Sequence, residues 1–399
     1  MSVPPERHVW TINRGSATLK SALYAAGNDG DLLVSMTVDQ AGVSGSRLKI
    51  SDPSGASLLD APVDGRDPNA ALDVILGWLG EHSFLPRLAA AGHRLVQGGP
   101  QYKEPQRITP EFLSEIEKLA PLDPDHMPAA IQGIRFIAKK LPKLPQVACF
   151  DTAFHSSLPQ VARMYALPRH LYDEGVFRYG FHGLSYEYVM RELRTLEGEL
   201  ADGRVIIAHL GSGASMVAVK QGKSVDTSMG FTPLEGLVMG TRSGDVDPGA
   251  LLYLLEQNKM SAKDTNKLVN QESGLLGVSG TTADMKVLLG TMQQDARAAE
   301  AVNLFCYRVK KYIGAYAAVL GGLDVLVFAG GIGERAPVVR MRACEGLDFL
   351  GVRLDAASNE ANAAIISSQE SRVRVRVIKT DEDRMILQHV GEALGWKNV

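Results

Sequence analysis

The feature that most constrains the fold of this chain is a strand, glycine turn and strand segment that occurs twice. Residues 8–24 contain a β-rich run, the turn signal Arg14-Gly15-Ser16 and a second extended run. Residues 204–219 repeat this order around Gly211-Ser212-Gly213, about half a chain later. A repeat at that distance is typical of a chain whose second lobe duplicates its first.

Length and composition agree with two lobes of a globular protein. A chain of 399 residues is too long for one ordinary core, so we expect two lobes with a cleft between them. Hydrophobic residues make up 45% and charged residues 22%, which is typical of a globular chain. The formal net charge of −3 predicts no general attraction to nucleic acid or to an anionic membrane.

Cysteine usage and hydropathy predict the cellular compartment of the protein. Its three cysteines are scattered and lack CxxC spacing, so neither a disulfide framework nor a zinc site is indicated. The amino terminus has no apolar signal core, and the most apolar run, residues 317–333, is broken by Asp324 and by glycines. We therefore expect a cytoplasmic protein with no membrane partner.

Strand and helix patterns alternate along the chain, which predicts an α/β fold. Helical spacing occurs over residues 109–119 and 128–141, whereas residues 325–328 predict a buried strand that leads into a glycine turn. Residues 372–379 alternate as a strand, and 380–383 form a capping-box pattern before a final helix. The polar region 41–68 is interpreted as surface loops.

The first glycine turn carries hydrogen-bond donors on one face. Strand alternation places Ser16, Thr18 and Lys20 together after Asn13, and such groups at a glycine turn hold phosphate oxygens. The alternative is the solvent-facing side of an ordinary hairpin. The second turn, which follows His209, has the same two interpretations, and two copies favour phosphate binding from both lobes.

A third glycine turn, residues 331–336, has a different possible ligand. It matches G-x-G-x-x-A after a strand, and Asp355 follows at a distance that suits a ribose contact. This pattern supports an NAD-dependent dehydrogenase as an alternative function. Only a short stretch of chain follows, however, whereas a dinucleotide fingerprint normally begins a βαβ unit. A turn without a ligand is the remaining interpretation.

Two arginines are candidates for holding anions. Residues 226–248 form a long, glycine-punctuated segment with Arg242 between small residues, and functional loops account for most such segments. Arg94 ends an apolar run just before glycines, where its side chain can project into a cleft. For Arg242 the alternative is a surface salt bridge.

Three further polar residues have both a catalytic and a structural interpretation. Asp151 follows a strand, the position from which ATPases commonly hold magnesium or orient a nucleophile, although it is as readily a turn residue. His182 lies among aromatic residues and glycines, where a histidine is more often structural. Glu382 begins a helix and would complement the helix dipole. The chain has no G-x-x-x-x-G-K-[ST], G-x-S-x-G or H-E-x-x-H motif, which argues against P-loop kinases and two hydrolase classes.

Taken in order, these segments resemble the acetate kinase family, within the acetate- and sugar-kinase, chaperone and actin superfamily. The most specific stretches are residues 179–183, 226–248 and Gly331-Ile332-Gly333-Glu334. The resemblance implies an α/β fold of two duplicated actin-like ATPase (ribonuclease H-like) lobes, with the active site in the cleft between them. It divides the chain into an N-terminal lobe, 1–152 plus 387–399, and a C-terminal nucleotide-binding lobe, 153–386.

The same resemblance implies reversible, in-line transfer of the γ-phosphate of ATP to acetate, giving acetyl phosphate and ADP. It also implies Mg²⁺ as cofactor, with Mn²⁺ as a substitute, and a homodimer. Propionate or another short-chain acid is the alternative substrate, because one methylene in an apolar pocket changes discrimination by only ~1–3 kcal/mol. A catalytically silent actin-like binding module is a further alternative, against which Arg94, Asp151, Arg242 and Glu382 argue.

Residue roles also follow from the resemblance. Asp151, Arg94, Arg242 and His182 are the implied catalytic residues, with His182 and Arg242 stabilising the transition state. The residues implied to bind the acid are Arg94, Val96, Phe181 and Pro233. The residues implied to bind the metal are Asn13 and Glu382, with support from Asp151. The nucleotide and its phosphates are assigned to a larger set: Asn13, Ser16, Thr18, Lys20, His209, Gly211, Ser212, Gly213, Asp284, Met285, Lys286, Gly331, Ile332, Gly333 and Glu334.

The chain departs from the family pattern at several positions. Arg14 and Ala17 replace a small residue and a serine, Gln97 replaces a histidine, and Ser212 replaces an asparagine. Residues 123–125 are an insertion relative to the pattern, next to Leu122 and His126. Ser212 can still donate a hydrogen bond, although from a shorter side chain.

Overall fold

The computed structural model describes residues 7–14, 18–26, 30–39, 45–64, 67, 69–124 and 126–396. These residues form two compact units. The first comprises the described residues up to Ala153 and those from Asp381 onward, and the second comprises Phe154–Thr380. The chain returns to the first unit earlier than the predicted position 387, because the helix Glu382–Leu394 packs on the first sheet along its length.

Regular elements alternate through both units. The strands are β1 (Arg7–Arg14), β2 (Thr18–Ala26), β3 (Leu32–Asp39), β4 (Arg47–Ser51), β5 (Ser57–Pro62), β6 (Leu88–Leu95), β7 (Gln106–Arg107), β8 (Gln146–Phe150), β9 (Arg204–Leu210), β10 (Ala214–Lys220), β11 (Lys223–Thr227), β12 (Val325–Ala329) and β13 (Arg374–Val377). The helices are α1 (Ala70–Glu81), α2 (Pro110–Leu119), α3 (Met127–Lys140), α4 (Gln160–Arg163), α5 (Arg169–Asp173), α6 (Gly183–Glu197), α7 (Pro248–Glu256), α8 (Ala262–Gln271), α9 (Gly274–Ser279), α10 (Met285–Thr291), α11 (Ala296–Leu320), α12 (Gly330–Arg335), α13 (Pro337–Cys344), α14 (Ala356–Glu360) and α15 (Glu382–Leu394).

The first unit is built on a sheet of order β5-β4-β3-β2-β1-β6-β8-β7. β1 pairs antiparallel with β2 and parallel with β6, which in turn pairs parallel with β8. Trp10, Met36 and Ile75 are among the residues of the core between the sheet and α1. α15 packs on β1, β6 and β8 at Gly92, where a Cβ would lie 2.4 Å from Cγ2 of Ile386. Glycine at this position therefore allows the close approach of helix and sheet.

The second unit repeats the central part of this arrangement. Its sheet has the order β11-β10-β9-β12-β13, with β9 antiparallel to β10 and parallel to β12. This order corresponds to β3-β2-β1-β6-β8 of the first unit. Ile207, Val217 and Val327 form its core together with Tyr186 and Val189 of α6. The predicted α/β fold of duplicated lobes is confirmed, and the paired strands of both predicted hairpins are present as β1–β2 and β9–β10.

Two sequence interpretations were wrong in detail. The region 41–68 contains β4 and β5 rather than loops alone, because Leu48 and Ile50 alternate with exposed Arg47 and Lys49 and add to the core. The last helix is capped by Asp381, whose side chain accepts from the N–H of Arg384 at 2.9 Å, and not by Thr380. Within the described residues, every helix is too short or too polar to span a membrane.

Candidate active site

Three candidate residues of the first unit lie at the same edge of its sheet. Asn13 is near the end of β1, Arg94 is near the end of β6, and Asp151 follows β8 directly. The three strands are mutually parallel, so their carboxyl ends meet at one edge, where open α/β sheets bind ligands. Glu382 joins them as the first residue of α15.

Hydrogen bonds connect these four side chains in a row, which we call the first cluster. Arg94 donates to both carboxylate oxygens of Asp151, from Nε at 3.0 Å and from Nη2 at 2.5 Å. Its Nη1 donates to Oδ1 of Asn13 at 2.9 Å, and Nδ2 of Asn13 donates to Oε2 of Glu382 at 2.7 Å. Burial lowers the pKa of Arg94, but Asp151 and Glu382 more than offset this, so the pKa lies above its ordinary range and the guanidinium stays charged.

Two acids that the sequence analysis did not single out surround the first cluster. Asp383 accepts from Oγ1 of the buried Thr11 at 3.0 Å, and burial raises the pKa of its carboxyl to about 6. Asp123, at the start of the insertion, is 4% exposed, contacts Nδ1 of His126 at 2.9 Å and also raises the pKa of Arg94. The insertion therefore brings an additional negative charge into the surroundings of Arg94.

The phosphate-side residues of the first unit are only partly described. Thr18 and Lys20 are exposed on the same face of β2, as strand alternation predicts. Ser16 and Ala17 lie outside the described residues. Gln97, which departs from the family pattern, is fully buried, and its Oε1 accepts from the N–H of Gly99 at 2.8 Å. Gln97 thus fixes the turn that follows Val96.

The second unit contains a separate group of polar residues around His182. Nδ1 of His182 lies 2.7 Å from Oγ of Ser215, which also contacts the hydroxyl of Tyr186. The rings of His182 and His209 stack with centroids 4.4 Å apart. His182 has a φ of 59°, in the left-handed region that non-glycine residues rarely adopt. Residues held in that conformation cluster at functional sites, which favours the catalytic interpretation of His182.

One glycine turn lies next to this histidine, and a second lies at the end of the neighbouring strand β12. A Cβ on Gly213 would lie 3.4 Å from Nε2 of His182 and 3.8 Å from Nη1 of Arg242, so the turn after β9 lies beside both side chains. Gly330 has a φ of 75°, and a Cβ there would lie 2.7 Å from the carbonyl oxygen of Leu210. The positive φ and the close carbonyl oxygen therefore require glycine at position 330, where β12 ends. We call His182, Ser215, Arg242 and the turn Gly211-Ser212-Gly213 the second cluster.

The loop that carries Arg242 is anchored by a residue that the sequence analysis missed. Arg178 donates to the carbonyl oxygens of Thr227 at 3.2 Å and of Met229 at 3.1 Å, and to the carboxylate of Glu235 at 2.6 Å. Arg242 itself donates to the carbonyl oxygen of Pro233 at 3.2 Å. Arg178 thus holds the irregular segment whose backbone in turn positions Arg242.

The predicted nucleotide residues lie at helix starts of the second unit. Gly331, Ile332, Gly333 and Glu334 all belong to α12, where Oε1 of Glu334 accepts from the N–H of Thr380 at 3.2 Å. Asp284 caps α10 by accepting from the N–H of Lys286 at 2.8 Å, and Met285 is buried. A Cβ on Gly240 would lie 3.3 Å from Oγ of Ser212 and 3.5 Å from Cβ of Ala283. Gly240 therefore lies between the second glycine turn and the residue that precedes Asp284.

The remaining predicted residues divide between the units. Val96 lies in the first unit, and Phe181 and Pro233 lie in the second, so the complete acid pocket stays a prediction. Asp355 caps α14 by accepting from the N–H of Ser358, which accounts for this carboxylate without a ribose. Ser215 and Arg178 were missed because their roles depend on hydrogen-bond partners far along the chain. The only sequence signal for these roles was position: Ser215 lies close to the second glycine turn, and Arg178 directly precedes the 179–183 stretch.

Comparison with known proteins identifies the family. The model of the acetokinase family matches residues 8–388. An acetate kinase of Rhodopseudomonas palustris is 46% identical over 385 residues, which are 95% of this chain and 96% of that protein. One of Methylocella silvestris is 46% identical over 395 residues, 96% of this chain and 97% of that protein.

Solved structures agree with this assignment. The crystal structure of Porphyromonas gingivalis acetate kinase is 40% identical, with a TM-score of 0.89 over 97% of this chain and 100% of that chain. A propionate kinase from Francisella tularensis is 34% identical, with a TM-score of 0.91 over 96% of this chain and 98% of that chain. The chain therefore belongs to the acetokinase family.

Proposed function

We propose that this chain transfers the γ-phosphate of ATP to the carboxylate of acetate, giving acetyl phosphate and ADP in a reversible reaction. The observation that carries the proposal is the family match over residues 8–388, which includes both clusters. The relatives with which it shares 46% identity are named acetate kinases and match nearly their whole length.

The chemistry needs charge neutralisation more than a base. A carboxylic acid with a pKa near ~4 is already ionised at neutral pH, so nothing has to remove a proton from the nucleophile. Two anions must approach each other, and positive groups offset their repulsion and stabilise the equatorial oxygens of the transferring phosphoryl group. Arg94, Arg242 and His182 are residues of this kind.

In the first unit we assign Arg94 to the acid and Asp151 to holding Arg94. The bidentate contact to Asp151 fixes the plane of the guanidinium and supports this division. Asn13 is hydrogen-bonded to both Arg94 and Glu382, and it therefore also fixes the position of the carboxylate at the start of α15. Thr18 and Lys20, with Ser16, are assigned to phosphate oxygens.

The oxygen donors of the first cluster fit a hard divalent cation. No group of three or more His, Cys, Asp or Glu side chains in the described part of the chain could hold a metal alone. Mg²⁺ is commonly held by one or two carboxylates together with substrate phosphates, and Glu382 with Asn13, supported by Asp151, matches that pattern. When bound, Mg²⁺, or Mn²⁺ as a substitute, neutralises charge on the nucleotide phosphates.

In the second unit we assign His182 and Arg242 to the transferring phosphoryl group. The hydrogen bond between Ser215 and His182 fixes the ring of His182, and the carbonyl of Pro233 fixes Arg242. The Gly211-Ser212-Gly213 and Gly331-Ile332-Gly333 turns, with His209, Asp284, Met285, Lys286 and Glu334, are assigned to the nucleotide. Transfer then proceeds directly, without a phosphorylated enzyme.

Propionate is the alternative acid, and one solved relative is named a propionate kinase. The test is a comparison of kcat/KM for acetate, propionate and butyrate with saturating ATP and Mg²⁺, with acyl phosphate trapped as hydroxamate. We expect acetate to give the highest value. A higher value for propionate would assign the chain to propionate, and no hydroxamate from any short acid would contradict the proposed function.

The dehydrogenase alternative loses its second residue, because Asp355 serves as a helix cap. Fluorescence titration with NADH tests it directly. We expect no change in NADH fluorescence that added ATP reverses. Tight NADH binding would support the alternative.

We further propose that the protein is a cytoplasmic homodimer. Exposed apolar side chains on the second unit, such as Val161 (84% exposed), Leu252 (55%) and Tyr253 (59%), support burial by a second copy. Sedimentation velocity tests the dimer, which predicts the mass of two chains at micromolar concentration. A single-chain mass would contradict it.

A further inference from the structure

The first unit contains a cavity of about 620 Å³ whose lining residues belong to neither cluster. Its walls are formed by leucines, prolines and Ala89, and its charged lining residues are Arg7, Arg87, Lys140 and Lys143. No Asp or Glu is among the lining residues. The cavity is therefore apolar in its walls and cationic in its charge.

Two similar segments build this cavity. Leu85-Pro86-Arg87-Leu88 leads into β6, and Leu141-Pro142-Lys143-Leu144 leads towards β8. β6 and β8 are parallel neighbours with Ala91 level with Gln146, and β1 pairs with β6 at His8 and Leu88. Arg7 begins β1, and Arg87 and Lys143 precede β6 and β8, so these basic residues meet at the amino ends of the three strands. The first cluster lies at the opposite, carboxyl ends.

Three of the four positive charges have no acidic partner among the residues that the structure describes. Lys140 donates to Oδ1 of Asp73 at 2.5 Å, whereas no carboxylate pairs with Arg7, Arg87 or Lys143 in the described ranges. The pKa of His8 is lowered first by burial and second by the charge of Arg87. The positive charge at the cavity therefore acts on a residue of β1. A chain of net charge −3 thus concentrates unpaired positive charge at one cavity.

We propose that this cavity binds a small phosphate-bearing organic anion. Guanidinium groups match phosphate oxygens in a two-pronged geometry, and a lysine adds a point charge. The volume lies within the roughly 300–1,000 Å³ of small-molecule sites, and rigid proline and leucine walls suit a carbon skeleton. Inorganic phosphate would interact with the basic side chains but would leave the apolar walls of the cavity without contact.

Calorimetric titration of the full chain with 3-phosphoglycerate tests the proposal. Glycerate and inorganic phosphate separate the contributions of the phosphate and of the carbon skeleton. Lys143→Glu reverses one lining charge, and Arg87→Glu provides a second, independent reversal. Lys118→Glu is the matched control, because Lys118 is also an exposed lysine near a helix end of the first unit and does not line the cavity.

We expect 3-phosphoglycerate to bind the wild type and Lys118→Glu equally, and each cavity variant about tenfold more weakly, which corresponds to about 1.4 kcal/mol. Binding should weaken with added salt, and glycerate should not bind measurably. Unchanged turnover in the cavity variants will show that they are folded. Equal affinity in Lys143→Glu and Lys118→Glu, or no binding to the wild type, would overturn the proposal. Inorganic phosphate binding as tightly as 3-phosphoglycerate would overturn its organic part.

Discussion

At the scale of residues, Asn13 is the centre of the first cluster. Its amide accepts from Arg94 and donates to Glu382, so one side chain links a cation to an anion. An aspartate at this position would repel Glu382, and an alanine would break both contacts. The sequence placed Asn13 at a phosphate turn, but the hydrogen bonds give it the additional role of orienting its neighbours.

Glu382→Gln tests the metal assignment. The substitution keeps an oxygen that accepts from Asn13 but removes the charge, so we expect the Mg²⁺ concentration for half-maximal activity to rise about tenfold. Glu392→Gln, an exposed position near the other end of α15, is the matched control. The assignment fails if both variants show the wild-type Mg²⁺ dependence.

Arg242→Ala tests charge stabilisation in the second cluster. Because its backbone loop is held by Arg178, we expect the fold to persist while kcat falls by about two to three orders of magnitude. Circular dichroism checks the fold and steady-state kinetics check the rate, with the exposed Arg169→Ala as control. Near-normal turnover would remove Arg242 from the mechanism.

Two buried histidines predict how stability depends on pH. Burial lowers the pKa of both His93 and His155 to about 4, whereas unfolded histidine titrates near ~6.5. Between these values the unfolded chain binds protons that the folded chain does not, so the free energy of unfolding falls as pH drops from 6.5 to 4.

Urea denaturation at pH 7, 6 and 5 measures this dependence. His93→Asn should reduce the slope by up to ~1.4 kcal/mol per pH unit, because one such group is removed. His170→Asn, the same substitution at an exposed position, is the control. Identical slopes for wild type and His93→Asn would contradict the interpretation.

At the scale of elements, α13 holds the glycine turn of α12 through one buried side chain. Arg340 is fully buried and donates to the carbonyl oxygen of Gly333 at 2.8 Å, to Asn359 at 2.8 and 2.7 Å and to Asn362 at 2.7 Å. These bonds connect α12, α13 and the region of α14. Burial lowers the pKa of Arg340, but the side chain has acceptors on every side.

Arg340→Ala should therefore destabilise the second unit by about 3–5 kcal/mol, because it opens a cavity and leaves buried acceptors unpaired. It should also raise the KM for ATP, since Gly333 loses its anchor. Denaturation curves and ATP titrations measure the two effects. Arg342→Ala, two residues along α13, removes an exposed hydrogen bond to Asn303 and should cost less than about 1 kcal/mol. Equal losses in both variants would contradict this role.

Element types followed well from local pattern, and hydrogen-bond partners did not. β9 begins at residue 204, where the second predicted repeat begins, and α2 begins after Thr109, which caps it as a threonine before a proline predicts. β4 and β5 were missed because their polar, glycine-containing surroundings hid a short alternation at Leu48 and Ile50. The contacts of Arg178 and Arg340 depend on carbonyl groups that a sequence pattern does not identify.

At the scale of the whole molecule, duplication could be predicted because the same order of strand, glycine turn and strand occurs twice in the sequence. The structure extends that likeness to five strands in the same order in each unit. What could not be predicted is how the copies differ. Carboxylates and Arg94 gather at the strand ends of the first unit, whereas histidines and Arg242 gather at those of the second. The charge that Asp123 adds near Arg94 was equally hidden, because an insertion has no counterpart in a family pattern.

The most direct test of the account is ³¹P NMR of the wild-type protein with ATP, Mg²⁺ and acetate. We predict an acetyl phosphate signal that grows in equal amount with ADP, without a matching signal of inorganic phosphate. ATP that stays unchanged with acetate, or that is converted only to ADP and inorganic phosphate, would contradict transfer to the carboxylate.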